Sequence, residues 1–206
     1  MFLKMTADVL QKHNNKKEQG MGKMILASSS PRRAEILKDY KLEIIPSPYV
    51  ENHTKTAFSY DYAENLAYNK AKAVADKIKE PALVIGADTV VVLNNEILEK
   101  PEDERDAFLM LKKLSGKTHK VVTSIVIINT QTGICRKNST TSSVTFENLT
   151  DEMIKSYIEN YKPLDKAGSY GIQEMPKGYI KSVEGDFENI IGISSKSFQK
   201  LLKSFE

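Results

Sequence analysis

Residues 25–33 read Ile-Leu-Ala-Ser-Ser-Ser-Pro-Arg-Arg, and this stretch indicates how the rest of the chain is built. The short apolar run predicts a β-strand, and the following residues predict the start of a helix, with Ser30 as its N-cap and Pro31 in its first turn. Free backbone N–H groups, hydroxyls and the positive end of the helix dipole would then face one space, where Arg32 and Arg33 add donors. The stretch is typical of a phosphate site, and also of an ordinary capped surface helix.

The composition is that of a globular protein. The chain has 206 residues, of which 40% are apolar and 28% charged, enough for one domain with a core or for two small lobes that share a cleft. No apolar run approaches the roughly twenty residues that a membrane helix needs. Residues 1–23 lack the apolar centre and cleavage site of a secretory signal. We therefore expect a cytoplasmic protein with an N-terminal extension at 1–23, flexible or an appended helix, before a domain at 24–206.

The charge balance argues against several classes of partner and cofactor. Thirty basic and 27 acidic side chains leave a formal net charge of only +3, so bulk attraction to nucleic acid or to a membrane is not expected. Any bound anion must be held by a local site. The single cysteine, Cys135, excludes an internal disulfide, and the presence of only three histidines argues against a zinc cage. Carboxylates are the ligands left, and they favour magnesium or manganese.

Strands and helices alternate in the first half of the chain and a hairpin fills the middle, which predicts an α/β protein with a mixed β-sheet and flanking helices. Apolar and β-branched runs predict strands at 42–45, 82–87, 90–93, 121–128, 139–146 and 180–183, in addition to the opening strand. Helical spacing and capping residues predict helices at 31–40, 61–79, 102–114, 151–161 and 198–205. These boundaries put Asp88 and Thr89 in a break between two strands.

Further polar clusters interrupt the predicted elements. Asp88 follows an apolar run, where strands of α/β sheets often carry catalytic groups, although an Asx turn would also explain it. Residues 165–173 form a loop with two glycines, an acid, a lysine, a phenol and the amide of Gln173, which can donate and accept at once. Taken alone, this loop is also typical of a structural turn. His119 is interpreted as a surface or hydrogen-bonded polar residue.

Taken together and in order, these clusters resemble the motifs of the Maf family of nucleotide pyrophosphatases, from Met24 almost to the C-terminus. The matching motifs are Leu-Ala-Ser-x-Ser-Pro-Arg-Arg at 26–33, the glutamate Glu51, Asn-Lys-Ala at 69–71, Gly-Ala-Asp-Thr at 86–89, Lys-Pro at 100–101, Leu-Ser-Gly-x-x-His at 114–119 and Asp-Lys-Ala-Gly-x-Tyr-Gly-Ile-Gln at 165–173. Two positions depart from the family pattern. Val50 stands where an acid usually precedes Glu51, and Gly192-Ile193-Ser194 replaces Gly-Leu-Pro.

The resemblance implies a two-lobed α/β fold, similar to that of inosine triphosphate pyrophosphatases, with the site in the cleft. Members of the family hydrolyse nucleoside triphosphates to the monophosphate and pyrophosphate with a divalent metal. Gly-Ile-Gln at 171–173 resembles the subgroup that acts on dTTP, UTP and modified pyrimidine nucleotides. The alternatives are hydrolysis of 7-methylguanosine triphosphate and a nucleotide-binding role in inhibiting septum formation. Some members are dimers, so the resemblance also raises a homodimer as a form to test.

Carried over residue by residue, the resemblance implies a set of site residues. The triphosphate would be held by Ser28, Ser30, Arg32, Arg33, Lys70, Thr89 and Lys100. Asp88 would accept a proton from the attacking water, with Lys100 and Gln173 as further catalytic residues. Glu51 would join Asp88 in binding the metal. The chemistry agrees, because cleavage between the α and β phosphates needs cationic donors, a metal on the phosphate oxygens and a base near an in-line water.

Overall fold

The computed structural model describes residues 22–51 and 57–205 of the chain. Within them, a seven-stranded mixed sheet is packed between helices, which confirms the predicted α/β class. The strands are β1 (Lys23–Leu26), β2 (Glu43–Ile44), β3 (Ala82–Leu93), β4 (Glu96–Leu98), β5 (Thr118–Asn129), β6 (Cys135–Phe146) and β7 (Ile180–Glu184). The α-helices are α1 (Pro31–Ile36), α2 (Tyr60–Ala75), α3 (Glu104–Leu114), α4 (Asp151–Tyr161), α5 (Phe187–Ile191) and α6 (Ser195–Leu202).

The long strand β3 lies at the centre of the sheet. The strand order is β2-β1-β3-β5-β6-β7, and the short strand β4 pairs with the second half of β3. Strands β2, β1 and the first half of β3 are parallel, whereas β5, β6 and β7 form an antiparallel series on the other side of β3. The sheet is mixed because helix-containing crossovers connect its first, parallel strands, whereas hairpins join β3 to β4 and β5 to β6 in the antiparallel part.

The predicted break at Asp88 is wrong, and so is the Asx turn as its alternative. Strand β3 runs through Asp88, which pairs with Ser124 of the neighbouring strand β5. The polar residues are accommodated because the other edge of β3 is uncovered there. Strand β1 pairs with β3 as far as Ile85, and β4 pairs with it from Val91 onward. Between those two residues, no strand of the described chain pairs with that edge, and this opening is where the cleft lies.

A glycine sets how closely helix α2 approaches this opening. A Cβ atom at Gly86 would lie 2.3 Å from the backbone oxygen of Ala67 and 2.8 Å from the Cβ of Ala71. These two alanines are fully buried on the face of α2 that meets the sheet. Only glycine permits so short a helix–sheet distance. Lys70, next to Ala71, is thereby brought within reach of Asp88.

Two structural predictions near the first motif need correction. Ser30 precedes α1, but its side chain makes no capping hydrogen bond. The hydroxyl of Ser28, two residues earlier, instead accepts a hydrogen bond from the Ser30 N–H at 3.2 Å and stabilises the loop before the helix. Helix α1 is also shorter than predicted, because a 3₁₀ turn at Lys38–Tyr40 follows it.

For the remaining elements, the predicted first and last residues agree with the structure more closely for strands than for helices. Helix α2 ends at Ala75 rather than near Lys79, and α6 begins at Ser195, where Ser194 caps it. Neither β4 nor α5 was predicted, because both are too short to show a periodic pattern. Most of the predicted extension at 1–23 lies outside the described residues. None of the described helices is both long and apolar enough to span a membrane.

Candidate active site

A cleft of about 430 Å³ opens at the uncovered edge of β3. One side is the serine wall, residues 28–33, which joins β1 to α1; another is the lysine wall, residues 165–174, which follows α4. The cleft is lined by every site residue that the sequence predicted, namely Ser28, Ser30, Arg32, Arg33, Glu51, Lys70, Asp88, Thr89, Lys100 and Gln173. The fold therefore brings together residues that are up to 145 positions apart in the chain.

Asp88 is the buried acid of the cleft, with 5% of its surface exposed. Burial raises the pKa of its carboxyl group, and the nearby carboxylate of Glu51 raises it further, whereas the cations of Lys70 and Arg33 lower it. The net direction is upward, because withdrawal from water is the largest effect. A carboxylate of this kind is a stronger base than an exposed aspartate.

Lys70 connects the two carboxylates on this side of the cleft. Its ammonium group forms ion pairs with Asp88 and, at 2.7 Å, with Oε1 of Glu51. All three side chains are largely buried, so they are much less screened than a surface pair. The group carries two negative charges and one positive charge, which leaves it able to accept another cation.

Arg33 is held in place by three neutral acceptors. Its Nε donates to the carbonyl oxygen of Gly192 at 2.9 Å, and its two terminal nitrogens donate to the hydroxyls of Ser28 at 3.3 Å and Thr89 at 3.1 Å. Thr89 is held in turn by Thr123, with 2.9 Å between their hydroxyl oxygens. Burial of the guanidinium lowers the pKa of Arg33, but arginine remains charged at any physiological pH.

The carbonyl that accepts from Arg33 comes from an element that was not predicted. Gly192 ends α5 with a φ of 140°, a backbone conformation open to glycine. Helix α5 is anchored by Asn189, which is fully buried and donates from its amide to the Val121 carbonyl at 2.9 Å. The family resemblance mentioned Gly192 only as part of a departing motif, so its contact with Arg33 was missed.

Arg32, Lys100 and Gln173 are the more accessible members of the predicted site. Arg32 lies 3.8 Å from a carboxylate oxygen of Asp165. Within the described residues, Lys100 forms no ion pair and Gln173 forms no hydrogen bond. Their polar groups are therefore free to meet a ligand.

Three charged residues of the lysine wall were not assigned a role from the sequence. Asp165, Lys166 and Glu174 all line the cleft, and Lys166 forms ion pairs with the other two at 2.7 Å and 3.2 Å. Asp165 and Lys166 belong to a recognised motif, but nothing in the sequence indicated that they face the cleft. Glu174 lies one residue beyond that motif and carried no signal.

His119 does not line the cleft but contacts Tyr170 of the lysine wall. It is buried in β5, and its Nε2 lies 2.7 Å from the hydroxyl of Tyr170. Its Nδ1 has no hydrogen-bond partner, so the interpretation as a fully hydrogen-bonded residue holds for one ring nitrogen only. Burial lowers the pKa of His119 to about 4, and the ring is neutral at pH 7.

Two carboxylates of the cleft are candidate ligands for a hard divalent cation. Glu51 and Asp88 offer carboxylate oxygens, the type that magnesium and manganese prefer. No group of three or more His, Cys, Asp or Glu residues placed to hold a metal occurs in the described part of the chain. Val50, where the family usually has an acid, is 80% exposed. The described residues thus offer two carboxylates of the type that such a cation prefers, and nucleotide pyrophosphatases of this kind generally use divalent metals.

Comparison with solved structures gives matches that include two at low sequence identity. The Staphylococcus aureus Ham1 protein aligns over 89% of this chain and 100% of its own, with a TM-score of 0.49 and 15% identity. A dITP/XTP pyrophosphatase from Mycobacterium abscessus covers 60% of this chain and 72% of its own, with a TM-score of 0.41 and 16% identity.

Comparison with curated protein sequences gives matches of higher identity. A dTTP/UTP pyrophosphatase of Clostridium botulinum is 41% identical over 184 residues, which cover 88% of this chain and 98% of that protein. One from Ruminiclostridium cellulolyticum is 42% identical over 186 residues, which cover 89% of this chain and 96% of that protein. A family model described as Maf-like protein matches residues 23–205. Since that match spans nearly the whole chain, the protein belongs to the Maf-like family.

Proposed function

We propose that this protein hydrolyses dTTP and UTP to the nucleoside monophosphate and pyrophosphate. The observation that carries the proposal is the buried carboxylate of Asp88 on the uncovered edge of β3, in a cleft also lined by five cationic side chains. An acid beside clustered cations suits attack of water on a polyphosphate. The substrate follows from the two dTTP/UTP pyrophosphatases that are 41% and 42% identical to this chain.

Asp88 is the proposed general base. It would take a proton from a water molecule as the water oxygen forms a bond to the α-phosphorus. The bond from that phosphorus to the oxygen bridging to the β-phosphorus then breaks, and pyrophosphate leaves with the electron pair. The raised pKa of Asp88 supports this role, because a stronger base transfers the proton more readily.

Arg33 is proposed to stabilise the charge that develops on the phosphates. Its three hydrogen bonds fix the guanidinium before substrate binds, so little reorganisation is needed during the reaction. Ser28 and Thr89 act through Arg33 by holding it. Arg32 and Lys100, which are more accessible, close on the triphosphate from the outside of the cleft.

Ser30 and Gln173 are proposed to contact the nucleotide directly. The Ser30 hydroxyl makes no cap and has no hydrogen-bond partner among the described residues. The Gln173 amide is exposed at the rim, where it can donate to and accept from a pyrimidine or position a water molecule.

Glu51 and Asp88 are the proposed ligands of a magnesium or manganese ion. When bound, the ion would neutralise charge on the phosphate oxygens. Two carboxylates are sufficient, since magnesium commonly completes its coordination with substrate phosphates and water. Lys70 pairs with both of these carboxylates, so a bound cation would compete with Lys70 for them and leave its ammonium group available to a phosphate.

The test is a panel of nucleoside triphosphates with magnesium and with manganese, assayed separately for pyrophosphate and orthophosphate. We expect pyrophosphate from dTTP and UTP. Asp88→Asn, purified in the same way, controls for a contaminating hydrolase. Turnover of 7-methylguanosine triphosphate in preference to pyrimidines would replace the substrate assignment, and no turnover of any nucleotide would overturn the enzyme assignment.

The alternative of a nucleotide-binding role in septum formation is tested by a different comparison. Overexpression of the wild-type chain and of Asp88→Asn would be scored for cell length. If both inhibit division equally while only the wild type hydrolyses nucleotides, binding rather than hydrolysis accounts for the phenotype.

A further inference from the structure

Lys166 is a buried cation whose hydrogen-bonding capacity is used only in part within the described residues. Its side chain is 8% exposed and lines the cleft. Of its three N–H groups, one donates to Oδ1 of Asp165 at 2.7 Å. Oε2 of Glu174 forms an ion pair with the ammonium at 3.2 Å, but without the alignment of a hydrogen bond. Among the described residues the ammonium thus makes one well-aligned hydrogen bond and two ion pairs, and a ligand with oxygen acceptors could use its remaining N–H groups.

The lysine wall is shaped around this side chain. A Cβ atom at Gly171 would lie 3.0 Å from Cε of Lys166 and 3.1 Å from its Cδ. The same atom would lie 3.0 Å from Oε2 of Glu174. A side chain at Gly171 would force Lys166 and Glu174 to shift by a few tenths of an ångström. The absence of a side chain at Gly171 therefore leaves room for the packing of Lys166 and Glu174 against the loop.

Asp165 links Lys166 to the serine wall. One of its carboxylate oxygens binds the Lys166 ammonium, and the other lies 3.8 Å from a terminal nitrogen of Arg32. Asp165 is 62% exposed, whereas the lysine it contacts is buried. A single exposed carboxylate thus lies between two cations on different walls. A phosphate group offers the same kind of oxygen acceptors, with more charge.

We propose that Lys166 and Arg32 together bind phosphate groups of the substrate, and that Asp165 competes with those phosphates for both cations. This inference rests on the proposed function for its ligand, a nucleoside triphosphate. It adds a phosphate-binding residue that the sequence motifs did not assign. It also gives Asp165 an opposing role, because its carboxylate must give up its contacts before the phosphates bind.

The experiment is a calorimetric titration of the full chain with inorganic tripolyphosphate, which measures the dissociation constant. This probe has no base or sugar, and its binding does not depend on hydrolysis of a nucleotide. We expect Lys166→Met to weaken binding by roughly 10- to 100-fold, because one charge-assisted contact is lost. Asp165→Asn should tighten binding by about 2- to 5-fold, a smaller effect because the carboxylate is exposed.

Lys162→Met is the matched control, since it removes the same charge from an exposed lysine of the neighbouring segment that does not line the cleft. Circular dichroism shows whether Lys166→Met is folded. If it is not, Lys166→Arg serves in its place; this variant should be folded and should keep most of the affinity, because it retains the positive charge. Lys166→Met and Asp165→Asn break the same ion pair, so a purely structural role predicts that both weaken binding. Wild-type affinity in Lys166→Met, or weaker binding in Asp165→Asn, would overturn the proposal. If the protein hydrolyses no nucleotide but the variants change tripolyphosphate binding as expected, only the proposed function is contradicted.

Discussion

The serine wall and the lysine wall both present cations to one cleft, but they hold them in different ways. On the serine wall, Arg33 is bound by a carbonyl and two hydroxyls, all of them neutral. On the lysine wall, Lys166 is bound by two carboxylates. The groups that hold Arg33 in position do not neutralise its charge. The carboxylates that hold Lys166 do neutralise the charge of the ammonium group.

This difference suggests a division of labour between the walls. Neutral acceptors fix a guanidinium without reducing its attraction for a phosphate, which suits a group that must be ready before the reaction. Carboxylates lower the cost of burying an ammonium but have to be displaced when an anion binds. We expect changes on the serine wall to affect both rate and binding, and changes on the lysine wall to affect mainly binding.

The largest effect should come from Asp88→Asn, which removes the base that both walls serve. We expect kcat for dTTP to fall by about 10²- to 10⁴-fold, the range for loss of a general base. Affinity for a non-hydrolysable analogue, measured without added divalent metal, should change little, because the cationic side chains of both walls remain. Rapid-quench assays and calorimetry separate these quantities. A kcat within tenfold of the wild type would show that Asp88 is not the base.

The two arginines of the serine wall should differ in their response to lysine. Arg33→Lys keeps the charge but cannot donate to Gly192, Ser28 and Thr89 at once. We expect kcat/KM to fall by about 10- to 100-fold, together with a lower Tm. Among the described residues, Arg32 makes one ion pair, which is long at 3.8 Å, and so Arg32→Lys should change kcat/KM only several-fold. Equal losses in the two variants would remove the distinction between a fixed and an accessible arginine.

A smaller effect is expected from Thr89→Val, which removes one acceptor of Arg33. The near-isosteric change should raise KM by about 3- to 10-fold and reduce stability by about 1 kcal/mol, as for one lost hydrogen bond. Thr118→Val is the control, because it removes a threonine hydroxyl that pairs with the hydroxyl of Thr145 and does not line the cleft. Urea denaturation and steady-state kinetics are measured for both. A change in KM that is as large in Thr118→Val would show that the effect of Thr89→Val does not depend on its contact with Arg33.

The smallest effect on turnover at neutral pH is expected at His119, which anchors the lysine wall through Tyr170. The folded pKa is about 4 and the ordinary value is 6.5. The unfolded chain therefore takes up a proton before the folded protein does, and stability is lost as the pH falls from about 6.5 to about 4. The total loss is on the order of 3 kcal/mol.

His119→Gln should reduce this acid sensitivity, since glutamine does not titrate but can still hydrogen-bond Tyr170. The measurement is the urea midpoint of both proteins from pH 7 to pH 4. Comparison with the wild type removes the opposite contribution of Asp88, whose raised pKa favours the folded state as the pH falls. Parallel curves for the two proteins would show that His119 does not account for the slope.

Some features of the molecule followed from short-range sequence patterns. The hairpin of β5 and β6 was predicted because β-branched runs flank a Thr-Gln-Thr-Gly turn, and helix α4 because Thr150 caps it. The chemistry of the cleft was visible in the same way, as motifs of serines, arginines, an acid and lysines. Helix ends were less well predicted, because tertiary contacts rather than propensity determine where α2 and α6 stop and start.

By itself, the sequence determined the α/β class, the family motifs and the residue types that a polyphosphate site needs. The tertiary structure decided that Asp88 lies within β3, because only long-range pairing shows which strand edge is left uncovered. It also decided that Arg33 is fixed by Gly192 and that Lys166 faces the cleft between two carboxylates. Those contacts join residues far apart in the chain, and local periodicity carries no information about such distances. The motif at 25–33 thus specified a cation-rich loop, and the fold specified what holds each cation.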